Sequence, residues 1–235
     1  MNTITLQNIE HLHLILKDYT TKPRYKYRGQ SNSEWKLIPK VGRHQFTGIN
    51  DIDIFKHWKR RAVGILEKIF TREIDYLAVA QHTGLPTRLL DWSHSPLIAL
   101  FFCVVDNPDT DGAFYIYCTN TNELMTFTEM ETFDPFQLNK SYYFHQPTST
   151  INRLDNQFGH FTVHQNPFIP FEDICISNNL RKIIIPSSLK KEILLFLNHY
   201  GINYLTIYPD LEGLSNHLTW FYENYSIWKN TDYCN

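Results

Sequence analysis

The sequence predicts an α+β fold: a mixed or antiparallel sheet flanked by helices, with a buried central helix near residues 96–106. Three observations carry this expectation. Within 51–70, Phe55, Trp58, Ala62, Ile65, Leu66 and Ile69 recur at steps of three and four, the stripe of an amphipathic helix. Gly112 to Cys118 is a run of aromatic and β-branched residues, the composition of a strand. Helical stretches come first and strands interleaved with helices follow, without regular strand–helix–strand alternation. That order favours α+β over a doubly wound sheet.

Each element has its own signal. Residues 6–18 space Leu12, Leu14, Ile15 and Leu16 among polar residues as a helix does. Residues 24–29 alternate in size and polarity and end in Gly29, which reads as a short strand entering a turn. Trp35 to Val41 reads as a second extended piece, with Pro39 marking an edge. After the 51–70 helix, a further helix spans about 72–82 and stops at Thr83-Gly84-Leu85-Pro86. The polar stretch that follows reads as a loop. Ser95-Pro96 supplies an N-cap and a first helical position, and the apolar run Leu97 to Val105 is a helix buried on all sides.

Beyond the 112–118 strand, residues 120–170 are irregular apart from a short strand at Phe161-Thr162-Val163. Arg181 to Ile185 is a strand. Ser187 or Ser188 caps a helix that buries Leu189, Ile193, Phe196, Leu197 and Tyr200 and ends at Gly201. Tyr204 to Tyr208 reads as a strand, and Pro209 to about Tyr225 as a final helix with Pro209 at its first position.

No linker, repeat or low-complexity tract divides the 235 residues, so one domain spanning 1–235 is expected. A net charge of −2 supplies no global field for nucleic acid. Cys103, Cys118, Cys175 and Cys234 lack zinc-site spacing and read as reduced thiols. The first sixteen residues lack the pattern of a secretory signal, and the longest apolar run is half a membrane span. A cytoplasmic protein without a membrane partner or bound metal is the expectation.

Chemistry concentrates in two stretches. Gln81 to Ser93 holds an imidazole, a guanidinium, a carboxylate and hydroxyls within thirteen residues. Asp91, flanked by Leu90 and Trp92, is expected to be partly buried and structural, pairing with Arg88 or the loop backbone. Tyr27-Arg28-Gly29-Gln30 ends a strand with an Arg able to fork a phosphate or carboxylate, and Gly29 would let a ligand approach the backbone. Arg28, Gln30, His82, Thr87, Arg88 and Asp91 are expected to converge on one cleft.

Tyr27-Arg28-Gly29-Gln30 and His82-Thr83-Gly84-Leu85-Pro86-Thr87-Arg88-Leu89-Leu90-Asp91-Trp92-Ser93 resemble the signature motifs of the FRG-domain family. Arg153, Gln157 to Phe161, and Tyr208 to Leu214 resemble its later elements, so the likeness covers roughly 20–220. The resemblance implies a bacterial or phage setting of defence or toxicity. It also implies a looser likeness to ADP-ribosyltransferases acting on NAD. On that reading Arg28, His82 and Glu212 are catalytic, and Tyr27, Gln30, Thr87 and Arg88 bind the nucleotide. A non-catalytic module for a nucleotide or phosphorylated ligand uses the same residues, and a nuclease or other hydrolase is the third possibility.

Overall fold

The computed structural model describes residues 1–19, 24–66, 68–146 and 159–225. Its centre is one seven-stranded mixed sheet. The strands are β1 (Asn2–Thr5), β2 (Tyr25–Gln30), β3 (Leu89–Ser93), β4 (Gly112–Cys118), β5 (Tyr142–His145), β6 (Gly159–His164) and β7 (Leu180–Ile185). They lie in the order β1-β7-β4-β2-β3-β6-β5. Only β1 and β7 run parallel; every other neighbouring pair is antiparallel. The α+β expectation holds.

The longer helices are α1 (Ile9–Lys17), α2 (Asp51–Ala62), α3 (Glu73–His82) and α4 (Pro96–Val104), with short α5 (Phe127–Thr132) and α6 (Phe171–Ile174). Three more follow: α7 (Ser187–His199), α8 (Tyr204–Ile207) and α9 (Leu211–Asn224). None is long and apolar enough to cross a membrane.

Strand alternation sorts the core into two layers. On one face, Tyr27, Phe114, Ile116, Ile183 and Ile185 pack under α4 and α7, with Leu12 of α1. Farther along the same face, Leu89, Tyr143, Phe161 and Val163 pack under α2 and α3. On the opposite face, Leu90, Trp92, Tyr115, Tyr117, Tyr142, Phe144 and Phe171 form an aromatic layer that also buries Leu37. Helix α4 is buried as expected, with Ile98, Ala99, Leu100, Phe101, Cys103 and Val104 nearly inaccessible.

Local chemistry explains most helix ends. The Ser95 hydroxyl accepts the Ile98 N–H ahead of Pro96. Gly84 (φ +100°) and Gly201 (φ +76°) terminate α3 and α7 in the left-handed region. In each case the residue after the glycine donates its N–H to a carbonyl five residues back, Leu85 to Ala80 and Ile202 to Leu197.

Several expectations are corrected. The chain opens with strand β1, not with a helix. The 51–70 helix stops at Ala62, before Gly64, a poor helix former. Ile65 and Ile69 therefore lose the stripe and are 83% and 72% exposed. Trp35 to Val41 forms no strand; Lys40–Gly42 is a 3₁₀ turn. Neither Ser187 nor Ser188 caps α7, which follows Pro186 without a side-chain cap. Residues 204–207 are helical because Asn203 and Thr206 close a capping box. Asp210 caps α9 through the Gly213 N–H, so Pro209 precedes that helix and does not begin it. The irregular 120–170 stretch contributes β5, and the expected loop after Pro86 becomes β3, a strand in the middle of the sheet.

Gly29 also differs from expectation. A Cβ there would lie 1.9 Å from the Ala99 carbonyl oxygen and 2.8 Å from the Cys103 nitrogen. The missing side chain lets α4 lie directly on β2, so the position serves helix packing.

Candidate functional site

Strands β2 and β3 pair in register only at Tyr27 and Ser93, and from there they diverge. The opening lies between the two apolar clusters on the helical face. A cavity of about 340 Å³ occupies it, lined on the β2 side by Tyr27, Arg28, Gly29, Ile98, Ala99, Phe102 and Tyr208. Its other wall is Ala78, Gln81, His82, Asp91, Trp92, Ser93, Gly159 and Phe161. The volume lies near the low end of ordinary ligand pockets, about 300–1,000 Å³.

Arg28 sits on the seam. Alternation turns it to the face opposite Tyr27, and its guanidinium enters the gap between the strands. Nη1 donates to the Asp91 carbonyl oxygen at 2.6 Å, satisfying a backbone acceptor of the divergent strand. The same nitrogen lies 3.8 Å from Asp91 Oδ2, and the Arg28 side chain is 12% exposed. Its buried Nε has no hydrogen-bond acceptor among the described residues. Burial pulls Arg28 down to about 10, against the pull of Asp91, so the group stays cationic at neutral pH.

Asp91 is not buried; its side chain is 60% exposed. In a strand, Leu90 and Trp92 enter the aromatic layer while the residue between them faces the cavity. The carboxylate is held from behind. Thr87 Oγ1 accepts the Leu89 N–H at 3.2 Å and therefore donates its proton to Gln81 Oε1. That contact orients the amide, and Gln81 Nε2 donates to Asp91 Oδ1 at 2.5 Å. His82, the last residue of α3, is half-buried beside Gln81 and lines the same cavity.

The structure thus brings Arg28, His82, Asp91 and Tyr27 together, and not the rest of the expected set. Arg88 is 5% exposed and forks Asp51 through Nε at 2.7 Å and Nη2 at 2.9 Å, with Phe136 under its guanidinium. It is a core ion pair, and the expected Asp91–Arg88 pair does not form. Gln30 is buried and donates to the Lys36 carbonyl. Thr87 acts one residue removed from the cavity, through Gln81. Glu212 is exposed in the first turn of α9 and does not line the cavity; Tyr208 lines it instead. Arg153, Gln157 and Phe158 lie outside the described residues.

Gln81, Phe102, Phe161 and Tyr208 were not among the expected ligand residues. Gln81 carried a weak signal, as a polar residue closing an apolar helix one turn beyond Ala78. The three aromatics look like core residues in sequence, and only the divergence of β2 from β3 makes them cavity walls. Cys103, on the far side of Gly29, is buried and pushed up to about 12, so it remains a thiol.

No curated protein and no solved structure gives a significant match to this chain. Residues 23–112 do match the family model of the FRG domain, a shorter span than the 20–220 over which the motifs resemble it. That segment supplies both signature stretches and most of the cavity wall: the chain carries an FRG domain, with Arg28, His82 and Asp91 inside it.

Proposed function

We propose that the cavity binds a nucleotide-type small molecule. The supporting observation is the convergence of Arg28, Gln81, His82 and Asp91, from β2, α3 and β3, against the aromatic walls of Phe102, Phe161 and Tyr208. Aromatic walls favour a planar ring, and a cation with an unfilled donor favours a phosphate beside it. Asp91 and the Gln81 amide would take ribose hydroxyls. Calorimetric titration with adenosine monophosphate, ADP-ribose and NAD tests the reading. Saturable binding is expected, weakened about tenfold to a hundredfold in Arg28→Ala, the worth of a charge-assisted hydrogen bond. Absence of binding to all three, or unchanged affinity in Arg28→Ala, refutes it.

A second reading adds chemistry on NAD. Its support is Asp91, the carboxylate among the described residues that lines the cavity. As nicotinamide leaves, positive charge builds on the ribose, and a carboxylate in a partly dry site stabilises it. Asp91 takes the role first assigned to Glu212. The toxin or defence activity implied by the resemblance would follow from NAD consumption. On this reading Asp91→Asn retains NAD binding and abolishes nicotinamide release. Wild-type protein that binds NAD without releasing nicotinamide leaves the binding module alone.

A further inference from the structure

Among the described residues two lysines lie almost fully inside the protein, and they are treated differently. Lys190 is 2% exposed, and its three ammonium hydrogens have three carbonyl acceptors, those of Ser31, Asp106 and Asn107. That is how the fold satisfies a structural cation. Lys26 of β2 is 4% exposed, and among the described residues its one hydrogen-bond partner is His94 Nδ1 at 3.4 Å. Among the described residues no carboxylate pairs with it. Two of its three donors are left over, in a position where an uncompensated charge is costly.

The surroundings repeat the theme. Lys26 and His94 lie one residue beyond the Tyr27–Ser93 pair that joins β2 to β3. The His160 ring of β6 stands edge-on to His94, with centroids 3.9 Å apart. Arg28, two residues along β2 and therefore on the same sheet face, carries the acceptor-less Nε. Two cationic side chains with unfilled donors thus share one face, bordered by two histidines. Burial lowers Lys26 to about 8, which still leaves it mostly charged at neutral pH. Burial, then Lys26 itself, pushes His94 down to about 4, so at neutral pH the ring is uncharged and serves Lys26 only as an acceptor.

We propose that Lys26, His94 and His160 form an oxyanion subsite that takes a phosphate group. A phosphate would fill the two remaining Lys26 donors and supply the missing negative charge. It would also reverse the electrostatic field at His94, favouring the imidazolium, which adds a donor of its own. The inference does not rest on the nucleotide reading of the cavity, because its probe and its reporters lie outside the cavity-lining residues.

The test is an NMR titration of the whole chain, labelled in histidine, with inorganic phosphate at constant ionic strength. Phosphate is expected to shift the His94 and His160 ring resonances saturably and to raise the pH at which His94 titrates. Lys26→Met should weaken that response about tenfold or more. It should keep or raise the melting temperature, since a buried unpaired charge is replaced by an isosteric apolar chain. If Lys26→Met fails to fold, the wild-type titration decides alone. No saturable shift at His94, or an undiminished response in folded Lys26→Met, overturns the proposal. Adenosine monophosphate binding more tightly than phosphate, with cavity resonances moving too, would identify the anion as part of the cavity ligand. Equal affinity for the two would mark a free oxyanion, and both results support the subsite.

Discussion

At the scale of single residues, the two arginines of the signature stretches divide the labour. Arg28 faces a cavity, while Arg88 is locked to Asp51 with both carboxylate oxygens engaged, the side chains 6% and 11% exposed. Removing one member of such a pair strands the other charge in the core. Arg88→Ala is therefore expected to destabilise the fold by about 3–5 kcal/mol, with little intrinsic effect on ligand affinity in whatever remains folded. Urea unfolding measures it, and a midpoint within error of wild type would mean that the pair is not formed. The motif made both arginines conspicuous, but no feature of the sequence separated their roles. Asp51, thirty-seven residues upstream, reads in isolation as an ordinary acid in the first turn of a helix.

At the scale of elements, the contact of β2 with α4 sets the geometry of the site. The Gly29 position has no room for a methyl group, because the nearest atoms belong to the α4 backbone and cannot swing aside. Gly29→Ala should force α4 off the sheet and cost at least about 3 kcal/mol, the upper range of overpacking. A variant that melts with the wild type would show that the helix can lift without penalty. Helix ends with local punctuation were legible in sequence: Ser95-Pro96, Gly84 and Gly201 each act through neighbours a few residues away. Strand β3 was not. Its Leu-Leu-Asp-Trp-Ser run mixes apolar and polar residues because one face meets the aromatic layer and the other borders the cavity. The strand at 204–208 failed for the opposite reason. Its aromatic and β-branched residues suit a strand, but a local capping box won.

At the scale of the whole molecule, burial of histidines makes stability depend on acid. His145 and His164 are both fully buried. Burial pushes His145 down to about 4, and burial together with Arg28 and Arg88 pushes His164 down to about 3. In the unfolded chain both titrate near 6.5. As pH falls the unfolded state takes up protons first. Stability should start to decline near pH 6.5 and continue to decline until the folded-state values are reached, near pH 4 and below. His145 alone accounts for about 3 kcal/mol across that window. Urea midpoints at pH 7, 5.5 and 4 measure the slope, and His145→Phe should flatten it. A midpoint independent of pH over this range would contradict the burial of these rings.

What the sequence determined by itself is the part governed by near neighbours: the α+β class, most of the helices, the buried α4, and the two motifs that mark the FRG domain. The tertiary structure alone decided which motif residues face the cavity. That choice depends on strands that meet at one residue pair and then part. The resulting gap turns Phe102, Phe161 and Tyr208 from core residues into cavity walls, exposes Asp91, and leaves Glu212 outside. It also puts Lys26 beside His94, sixty-eight residues away, its hydrogen-bonding partner among the described residues. Sequence spacing cannot carry such pairings, because strand register and burial are settled by packing across the sheet and not along the chain.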